Sequence, residues 1–243
     1  MMAKHLRSDS VVRQLAHLVP RLYNKLLPVP CFLCGVETAD GPLCPDCMAD
    51  LPEISHQCPL CAMPMQSDTI CGDCLKNPPP QQKSISLFTY QEPVDRCISA
   101  FKYHRHLGFA SLFADLLAKK VQHDYPLATL VPVPLHPIKI RLRGFNQSQE
   151  IAKRLSHHLS LPLNPHCLVR SRNTPAQSQL TAKARRQNIR NGFSCNGPPP
   201  DSVILIDDVL TSGCTVREAA ATLQKAGCPR IEVWTIARAI SHY

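Results

Sequence analysis

Apolar residues along the chain follow two periods, and their order predicts the fold class. Four short apolar runs are typical of buried strands: SISLFTY (84–90), TLVPVP (129–134), SVILID (202–207) and RIEVWTIA (230–237). Four amphipathic segments are predicted helices: 94–103, 108–122, 148–159 and 216–226. Because strands and helices alternate, we predict an α/β fold in which helices flank a parallel sheet on both faces.

The N-terminal segment has a different pattern. Ser10 is a predicted N-cap, and the leucines behind it lie at helical spacing, which predicts an amphipathic helix over residues 10–27. The pattern leaves open whether this helix docks on its own protein, extends as a poorly ordered segment or lies on a membrane surface. No run reaches the ~18–20 apolar residues that cross a bilayer, and the N-terminus lacks a signal peptide's apolar core. We expect a cytoplasmic protein, peripheral at the inner membrane face if this helix binds there.

A proline-rich stretch, NPPPQQ (77–82), separates two compositions and is typical of a stiff polar linker. Paired cysteines precede it, and the strand–helix alternation begins after it. We predict three parts: an N-terminal extension over 1–28, a cysteine module over 29–76 and an α/β domain over 83–243.

The cysteine module is an internal repeat. Eight of the 13 cysteines form C-x-x-C pairs: Cys31, Cys34, Cys44, Cys47, Cys58, Cys61, Cys71 and Cys74. Each half reads C-x2-C-x9-C-x2-C, and a shift of 27 residues superimposes the halves. Four thiolates suit tetrahedral zinc and leave no position for water, so we predict two tandem zinc ribbons with structural Zn²⁺. A crossed pairing of the half-sites and an iron–sulfur cluster are the alternatives.

Charge is spread unevenly over a chain of net charge +9. Residues 31–74 hold seven acids and no Lys or Arg. Since thiolate-bound zinc adds negative charge, this module is predicted to repel phosphate and to serve as a protein-docking or scaffolding piece. Residues 139–190 hold eleven Lys or Arg and one acid, Glu150. That segment suits a solvated face, charge compensation for a phosphorylated ligand, or a groove for a DNA backbone.

The candidate chemistry lies in VILIDDVLTSGCT (203–215), where a buried strand runs into two adjacent carboxylates. Asp207 and Asp208 repel each other unless a ligand or partner uses them. Because ligands of parallel sheets bind beyond the carboxyl ends of the strands, both acids are predicted to line a ligand site. A Mg²⁺ site and a phospho-acceptor aspartate are the alternatives at this stage.

The loop after the two acids has the chemistry of a phosphate site. Thr215 and Glu218 form a T-x-x-E pattern, which predicts a capping box and a helix that starts directly after the loop. Free N–H groups at a helix N-terminus favour phosphate. Thr211 and Ser212 add hydroxyl donors, and Gly213 lets the backbone approach closely. A phosphate beside two carboxylates that accept hydrogen bonds from a diol indicates a ribose 5-phosphate unit.

This segment resembles the PRPP-binding motif of type I phosphoribosyltransferases. The resemblance implies that Asp207 and Asp208 hold the ribose 2′- and 3′-hydroxyls and that Mg²⁺ accompanies PRPP. It implies that the 5′-phosphate is held by Thr211, Ser212, Gly213, Cys214 and Thr215. Cys214 stands where that family usually has a small residue.

Two further segments extend the resemblance. Residues 131–148, VPVPLHPIKIRLRGFNQS, resemble the pyrophosphate-loop region, and residues 170–193 resemble the mobile loop that closes over PRPP. The first implies binding roles for Arg143, Gly144, Asn146 and Gln147, together with Lys102 in FKYHRH. The second implies roles toward PRPP or DNA for Arg170, Arg172, Gln177, Arg185, Arg186 and Arg190.

With two cysteine ribbons in front, the chain is similar over residues 31–238 to members of the ComF family. Membership implies a role in natural competence, with single-stranded DNA handled in transformation or DNA utilisation. PRPP or a nucleotide is the implied second ligand, and other DNA-uptake proteins are implied partners of the zinc ribbons. A phosphoribosyltransferase of nucleobase salvage and a non-catalytic PRPP or nucleotide sensor are the alternatives. No catalytic residue is assigned.

Overall fold

The computed structural model describes residues 29–39, 41–121, 127–171 and 191–240. The predicted helix over 10–27 lies outside these residues. The chain divides into two compact units, of which the first ends at Leu51 and the second begins at Pro52. This division lies before the second half of the cysteine repeat, whereas the sequence placed a boundary at 77–82.

The first unit contains one half of the cysteine repeat. Strands β1 (Val29–Pro30) and β2 (Glu37–Thr38) pair antiparallel, and helix α1 (Pro45–Ala49) follows. Cys44 is the N-cap of α1, and its sulfur accepts a hydrogen bond from the N–H of Cys47. Pro45 suits the first helical position because that position has no intrahelical partner for an N–H. Cys44 therefore belongs to a C-x-x-C pair and also caps the helix that carries Cys47.

The second unit is built on parallel strands with flanking helices. Its strands are β3 (Lys83–Thr89), β4 (Thr129–Pro132), β5 (Leu168–Arg170), β6 (Phe193–Cys195), β7 (Ser202–Leu210) and β8 (Arg230–Arg238). Its helices are α2 (Gly72–Lys76), α3 (Val94–Tyr103), α4 (Gly108–Lys120), α5 (Pro137–Arg143), α6 (Gln147–Leu159) and α7 (Cys214–Lys225). One sheet has the order β3–β8–β7–β4 with every pair parallel, and β5 and β6 form a separate antiparallel pair.

Helices cover both faces of the parallel sheet. Side chains of a strand alternate between its faces. On one face Val203 and Leu205 of β7 pack with α7. Helices α4 and α6 pack against each other and against the strands of the sheet. Val203–Ile206 are each at most 1% exposed, which explains why this strand reads as a continuous apolar run. The predicted α/β fold with a helix-flanked parallel sheet is confirmed.

Strand β7 is longer than the sequence predicted. The apolar pattern ended the strand at Asp207, but the pairing continues to Leu210, which lies opposite Arg238 of β8. The strand pairing continues because β8 supplies partners for Val209 and Leu210. Both aspartates therefore lie within the strand near its carboxyl end, and the loop begins at Thr211.

Residues before β3 pack onto the sheet of the same unit. The N–H and the hydroxyl of Ser84 donate to the carbonyls of Pro59 and Leu60, at 2.7 Å each. Ala62 is fully buried in the core that also contains Leu205 and Cys214. The second half of the cysteine repeat is thus continuous with the α/β core. Among the described helices, none combines the length and apolar composition needed to cross a membrane.

Truncating the centre of β7 tests this description of the core. Leu205 is 0% exposed, so Leu205→Ala is expected to lower the free energy of unfolding by about 3 kcal/mol through lost burial and a residual cavity. Leu142 of α5 is 83% exposed, and Leu142→Ala is expected to change that free energy by less than about 0.5 kcal/mol. Urea unfolding of zinc-loaded protein measures both. Equal losses in the two variants would contradict the buried position of β7.

Candidate functional site

The eight paired cysteines form two clusters of four. In each cluster the four sulfur atoms lie within 4.8 Å of one another, and the sets are Cys31, Cys34, Cys44, Cys47 and Cys58, Cys61, Cys71, Cys74. The sulfurs of Cys34 and Cys44 are 3.6 Å apart, as are those of Cys61 and Cys71. A tetrahedron with Zn–S bonds of about 2.3 Å has sulfur–sulfur edges of about 3.8 Å. Consecutive cysteines therefore share each site, and the crossed pairing is wrong.

Backbone N–H groups prepare the sulfurs to be thiolates. Cys31 accepts from the N–H of Cys44 at 3.3 Å, and Cys58 accepts from the N–H of Cys71 at 3.4 Å. Burial opposes ionisation of both thiols, but these and neighbouring N–H groups lower the pKa of Cys31 to about 6 and that of Cys58 to about 7. The donor set and its geometry fit structural Zn²⁺ in each cluster.

Metal analysis tests the two clusters. We expect two zinc ions per chain, and we expect a strong chelator to lower the melting temperature because metal binding contributes folding free energy. Cys58→Ser should reduce the content to one zinc per chain, whereas Cys195→Ser, outside both clusters, should leave two. A single zinc in the wild type, or the visible absorption of an iron–sulfur cluster, would contradict the assignment.

The two aspartates meet residues from two helices at the carboxyl edge of the sheet. Asp207 Oδ1 accepts from the hydroxyl of Ser148 at 3.0 Å and from the N–H of Asp208 at 3.0 Å. Asp208 Oδ2 lies 2.8 Å from Lys102 Nζ. Lys102 is in the last turn of α3, and Ser148 is in the first turn of α6. Helix ends thus supply a cation and a hydroxyl to the acids.

Burial and like charge perturb these groups. Burial, followed by the charge of Asp208, raises the pKa of Asp207 to about 7, against the opposing effects of the Asp208 N–H, Lys102 and Ser148. Burial alone would lower the pKa of Lys102, but the ion pair with Asp208 and the nearby Asp207 raise it above its usual value. Lys102 therefore stays charged, and a carboxyl that titrates near neutral pH lies beside it.

The segment RGFNQ connects α5 to α6 beside the acids. Gly144 has φ of 87°, a left-handed backbone conformation that favours glycine, and the end of the Arg105 side chain lies against it. Phe145 packs on Phe101 of α3 with ring centroids 5.6 Å apart. Asn146 caps α6 by accepting from the N–H of Ser148 at 3.1 Å and donates to the carbonyl of Val133 at 3.0 Å. This small cap fixes Ser148 against Asp207.

Gln147 of this segment has a buried side-chain amide whose N–H groups lack a hydrogen-bond acceptor among the described residues. Its side chain is 1% exposed, and its Nε2 has no hydrogen-bond acceptor within the described part of the chain. A buried amide without an acceptor is costly unless a ligand or ordered water supplies one. The amide therefore has capacity for a ligand oxygen.

Basic residues from three segments surround this edge of the sheet. Burial lowers the pKa of Lys139, and the charges of Arg170 and Arg143 lower it further, so the three cations interact electrostatically. The Arg143 guanidinium lies over the Tyr103 ring at 5.2 Å, and the Arg170 guanidinium lies over the Phe193 ring at 5.5 Å. Burial lowers the pKa of Arg170, and the Asp207 carboxylate partly offsets this effect. The cations therefore share the electrostatic environment of the acids.

The phosphate-site loop differs in one respect from the prediction. Gly213, with φ of 73°, is the N-cap of α7, and the helix begins at Cys214. The predicted capping box of Thr215 and Glu218 is wrong, because Glu218 accepts instead from the N–H of Asn191 at 2.7 Å. Cys214 is buried in the core. The left-handed glycine allows the helix to start two residues earlier than the T-x-x-E pattern indicated.

The structure brings most predicted site residues to one edge. Lys102, Asn146, Asp207 and Asp208 are joined directly or through Ser148, and Arg143 and Arg170 lie among the surrounding bases. Sequence analysis missed the role of Ser148, for which the Asn-x-Ser pattern at a helix start was the available signal. The remaining mobile-loop residues lie outside the described residues: Arg172, Gln177, Arg185, Arg186 and Arg190.

Fold and site together define a class: an α/β domain with paired carboxylates and bases at the carboxyl edge of a parallel sheet, and two zinc-ribbon clusters. A family model described as double zinc ribbon domain matches residues 22–75. Competence protein F of Haemophilus influenzae (strain ATCC 51907 / DSM 11121 / KW20 / Rd) is 33% identical over 219 residues, which cover 86% of this chain and 90% of that protein. The chain belongs to the ComF family.

Other comparisons agree with this membership. DNA utilization protein YhgH of Escherichia coli (strain K12) is 32% identical over 227 residues, covering 88% of this chain and 100% of that protein. Competence protein ComFC of Bacillus subtilis (strain 168) is 27% identical over 200 residues, covering 77% and 80%. A solved purine phosphoribosyltransferase from Pyrococcus horikoshii Ot3 aligns over 53% of this chain and 81% of that chain, with a TM-score of 0.32 and 17% identity.

Replacing Asp207 by Asn tests the charge arrangement. Between the ordinary pKa of 3.8 and about 7 the folded state holds a proton that the unfolded state releases, so this carboxyl lowers stability as pH rises through that window. At about pH 8 we expect Asp207→Asn to be more stable than wild type by on the order of 1 kcal/mol, and we expect about half of this gain to vanish near pH 5.5, the middle of that window. Urea unfolding at both pH values measures it. Asp201→Asn, at an exposed position before β7, is the control, and an identical pH profile for both variants would contradict the assignment.

Proposed function

We propose that the protein handles single-stranded DNA in natural competence or DNA utilisation, and that residues 207–215 bind a ribose 5-phosphate unit such as that of PRPP. The printed names of its relatives, competence protein F and DNA utilization protein YhgH, support the first part. The second part rests on one observation: two adjacent carboxylates are held at a sheet edge by Lys102 and Ser148.

The carboxylates suit a sugar diol. Their oxygens accept hydrogen bonds, and Lys102 keeps Asp208 in place at 2.8 Å while Asp207 is fixed by Ser148. Two adjacent carboxylates can accept hydrogen bonds from two hydroxyls on neighbouring carbons. The loop Thr211–Gly213 and the N-terminus of α7 then lie at the phosphate end of such a ligand, where backbone N–H groups and the helix dipole favour an anion.

The bases suit further phosphates. Lys139 is repelled by Arg143 and Arg170, and Arg170 also interacts with Asp207. An anion among these bases relieves the repulsion. A pyrophosphate with Mg²⁺, or the backbone of a single strand, meets that requirement. Since the basic segment 139–193 contains two aromatic residues, Phe145 and Phe193, against eleven Lys or Arg, the proposed DNA binding is mainly electrostatic, tolerant of sequence and steeply dependent on salt.

Phosphoribosyl transfer is the second candidate function, favoured by the same pair of acids. In this case the bases hold the departing pyrophosphate while positive charge develops at the ribose carbon. A sensor that binds PRPP or a nucleotide without turnover needs the same pocket.

We further propose that the acidic zinc-ribbon module contacts other DNA-uptake proteins.

Fluorescent single-stranded DNA tests the first function. We expect salt-sensitive binding to zinc-loaded protein, displaced by Mg–PRPP if DNA and PRPP share the surface. Arg143→Ala should weaken binding and reduce the slope of log affinity against log salt by about 0.7, the value for one lost phosphate contact on a single strand. Arg96→Ala, at the exposed first turn of α3, is the matched control.

A thermal-shift titration with Mg–PRPP tests the pocket in the same protein. Asp208→Asn should abolish any stabilisation by Mg–PRPP and leave the zinc content at that of the wild type. Stabilisation without DNA binding would favour an enzyme or a sensor. DNA binding that is insensitive to both Arg143→Ala and salt, together with no response to Mg–PRPP, would overturn the proposal.

A further inference from the structure

Arg238 at the end of β8 connects the second cysteine cluster to the phosphate-site loop. Its side chain is buried, with 6% of the residue exposed. Nε donates to the carbonyl of Cys61 at 3.0 Å. Nη1 donates to the carbonyl of Leu210 at 3.0 Å and also to those of Thr211 and Ala239. One guanidinium therefore holds the backbone of a cluster cysteine and the backbone where the loop begins.

The Arg238 contacts determine where two loop amides point. A trans peptide is planar, so its N–H and C=O groups point in opposite directions. Because the carbonyls of Leu210 and Thr211 face Arg238, the N–H groups of Thr211 and Ser212 face away from it. These N–H groups are donors that the loop can offer to an anion. The Leu210 carbonyl is also held by the N–H of Ala239 at 3.0 Å, so losing the guanidinium mainly removes the restraint on the Thr211–Ser212 peptide plane.

A second arginine links the same two parts of the unit. Arg217 Nη1 donates to the carbonyl of Asn77 at 3.1 Å, and Asn77 is the C-cap of α2, which carries Cys74. Arg217 lies in the first turn of α7, and a Cβ at Gly213 would lie 3.9 Å from its Nε. Both ends of the loop are therefore connected to the second cluster by an arginine.

Apolar packing completes the connection. Ala62 follows Cys61 and is fully buried in the core that contains Leu210 and Cys214, the residues on either side of the loop. The turn that carries Cys61 thus shares a buried core with both ends of the loop and is linked to the loop through Arg238. Arg217 makes the second link, from the end of α2.

We propose that the second cysteine cluster, when it holds zinc, positions the Thr211–Gly213 loop through Arg238, with Arg217 as a second support. Arg238 is a positioning residue, since it reaches the ligand only through the loop backbone. The cluster then acts on the ligand site and is more than a separate docking module. The identity of the ligand rests on the proposed function, whereas the coupling of cluster and loop does not.

Hydrogen exchange without ligand tests the coupling directly. We compare peptides covering 209–217 in zinc-loaded wild type, Arg238→Gln and Arg230→Gln. Arg230 lies at the exposed first position of the same strand, so the second substitution is the matched control. Hydrogen bonds from a charged donor contribute strongly, and we expect exchange in this segment to accelerate about tenfold or more in Arg238→Gln alone. Arg238→Lys, which keeps a charged donor, should recover part of the protection.

Zinc removal and ligand binding complete the experiment. Cys61→Ser should accelerate exchange over 209–217 more than over β3, and metal analysis confirms the lost ion. Calorimetry with Mg–PRPP should show an affinity reduced about tenfold or more in Arg238→Gln, with both zinc ions retained. No binding of Mg–PRPP to the wild type would refute the proposed ligand, while the exchange data still decide the coupling.

Two outcomes overturn the inference. Exchange over 209–217 that is the same in Arg238→Gln, Arg230→Gln and wild type excludes positioning by Arg238. If Arg238→Gln does not fold, Arg217→Gln decides the question, with Lys225→Gln at the exposed end of α7 as its control. Equal exchange in that second pair then excludes the coupling, and faster exchange in Arg217→Gln alone supports it.

Discussion

Repulsion between two neighbouring carboxylates is the constraint on which the ligand edge of this protein depends. Asp207 and Asp208 lie in a strand whose preceding residues are almost fully buried, where water screens charge poorly. The two acids are stabilised by an ion pair with Lys102, a hydrogen bond from the Ser148 hydroxyl and one from the N–H of Asp208. Lys102 stands at the end of α3 and Ser148 at the start of α6, so both helix ends converge on the acids.

At the same edge of the sheet, charge repulsion lowers the stability of the free protein. A carboxyl whose pKa is raised to about 7 destabilises the free protein at neutral pH, and a cluster of bases nearby adds its own repulsion. Like charges held together without full compensation are typical of a functional site. The zinc ribbons supply folding free energy where the apolar core is small.

Helix, strand and metal predictions succeeded where local pattern was sufficient. Continuous apolar runs identified the parallel strands, and the repeated cysteine spacing identified both four-sulfur sites, because a zinc site needs only ligands at fixed short separations. Local pattern failed at the start of α7. Glu218, which the T-x-x-E pattern assigned to a capping box, is used by Asn191, a partner 27 residues away in sequence.

By itself, the sequence determined the α/β class, the two zinc ligand sets and the acid pair with its hydroxyl-rich loop, since each is written in neighbouring residues. Only the tertiary structure decided which side chains meet the acids. Lys102 meets Asp208 across 106 residues and Ser148 meets Asp207 across 59 residues, because helix ends converge on one sheet edge. It likewise decided that Arg238 bridges Cys61 and Leu210, because no local period encodes a contact between a strand end and a metal ligand 177 residues before it.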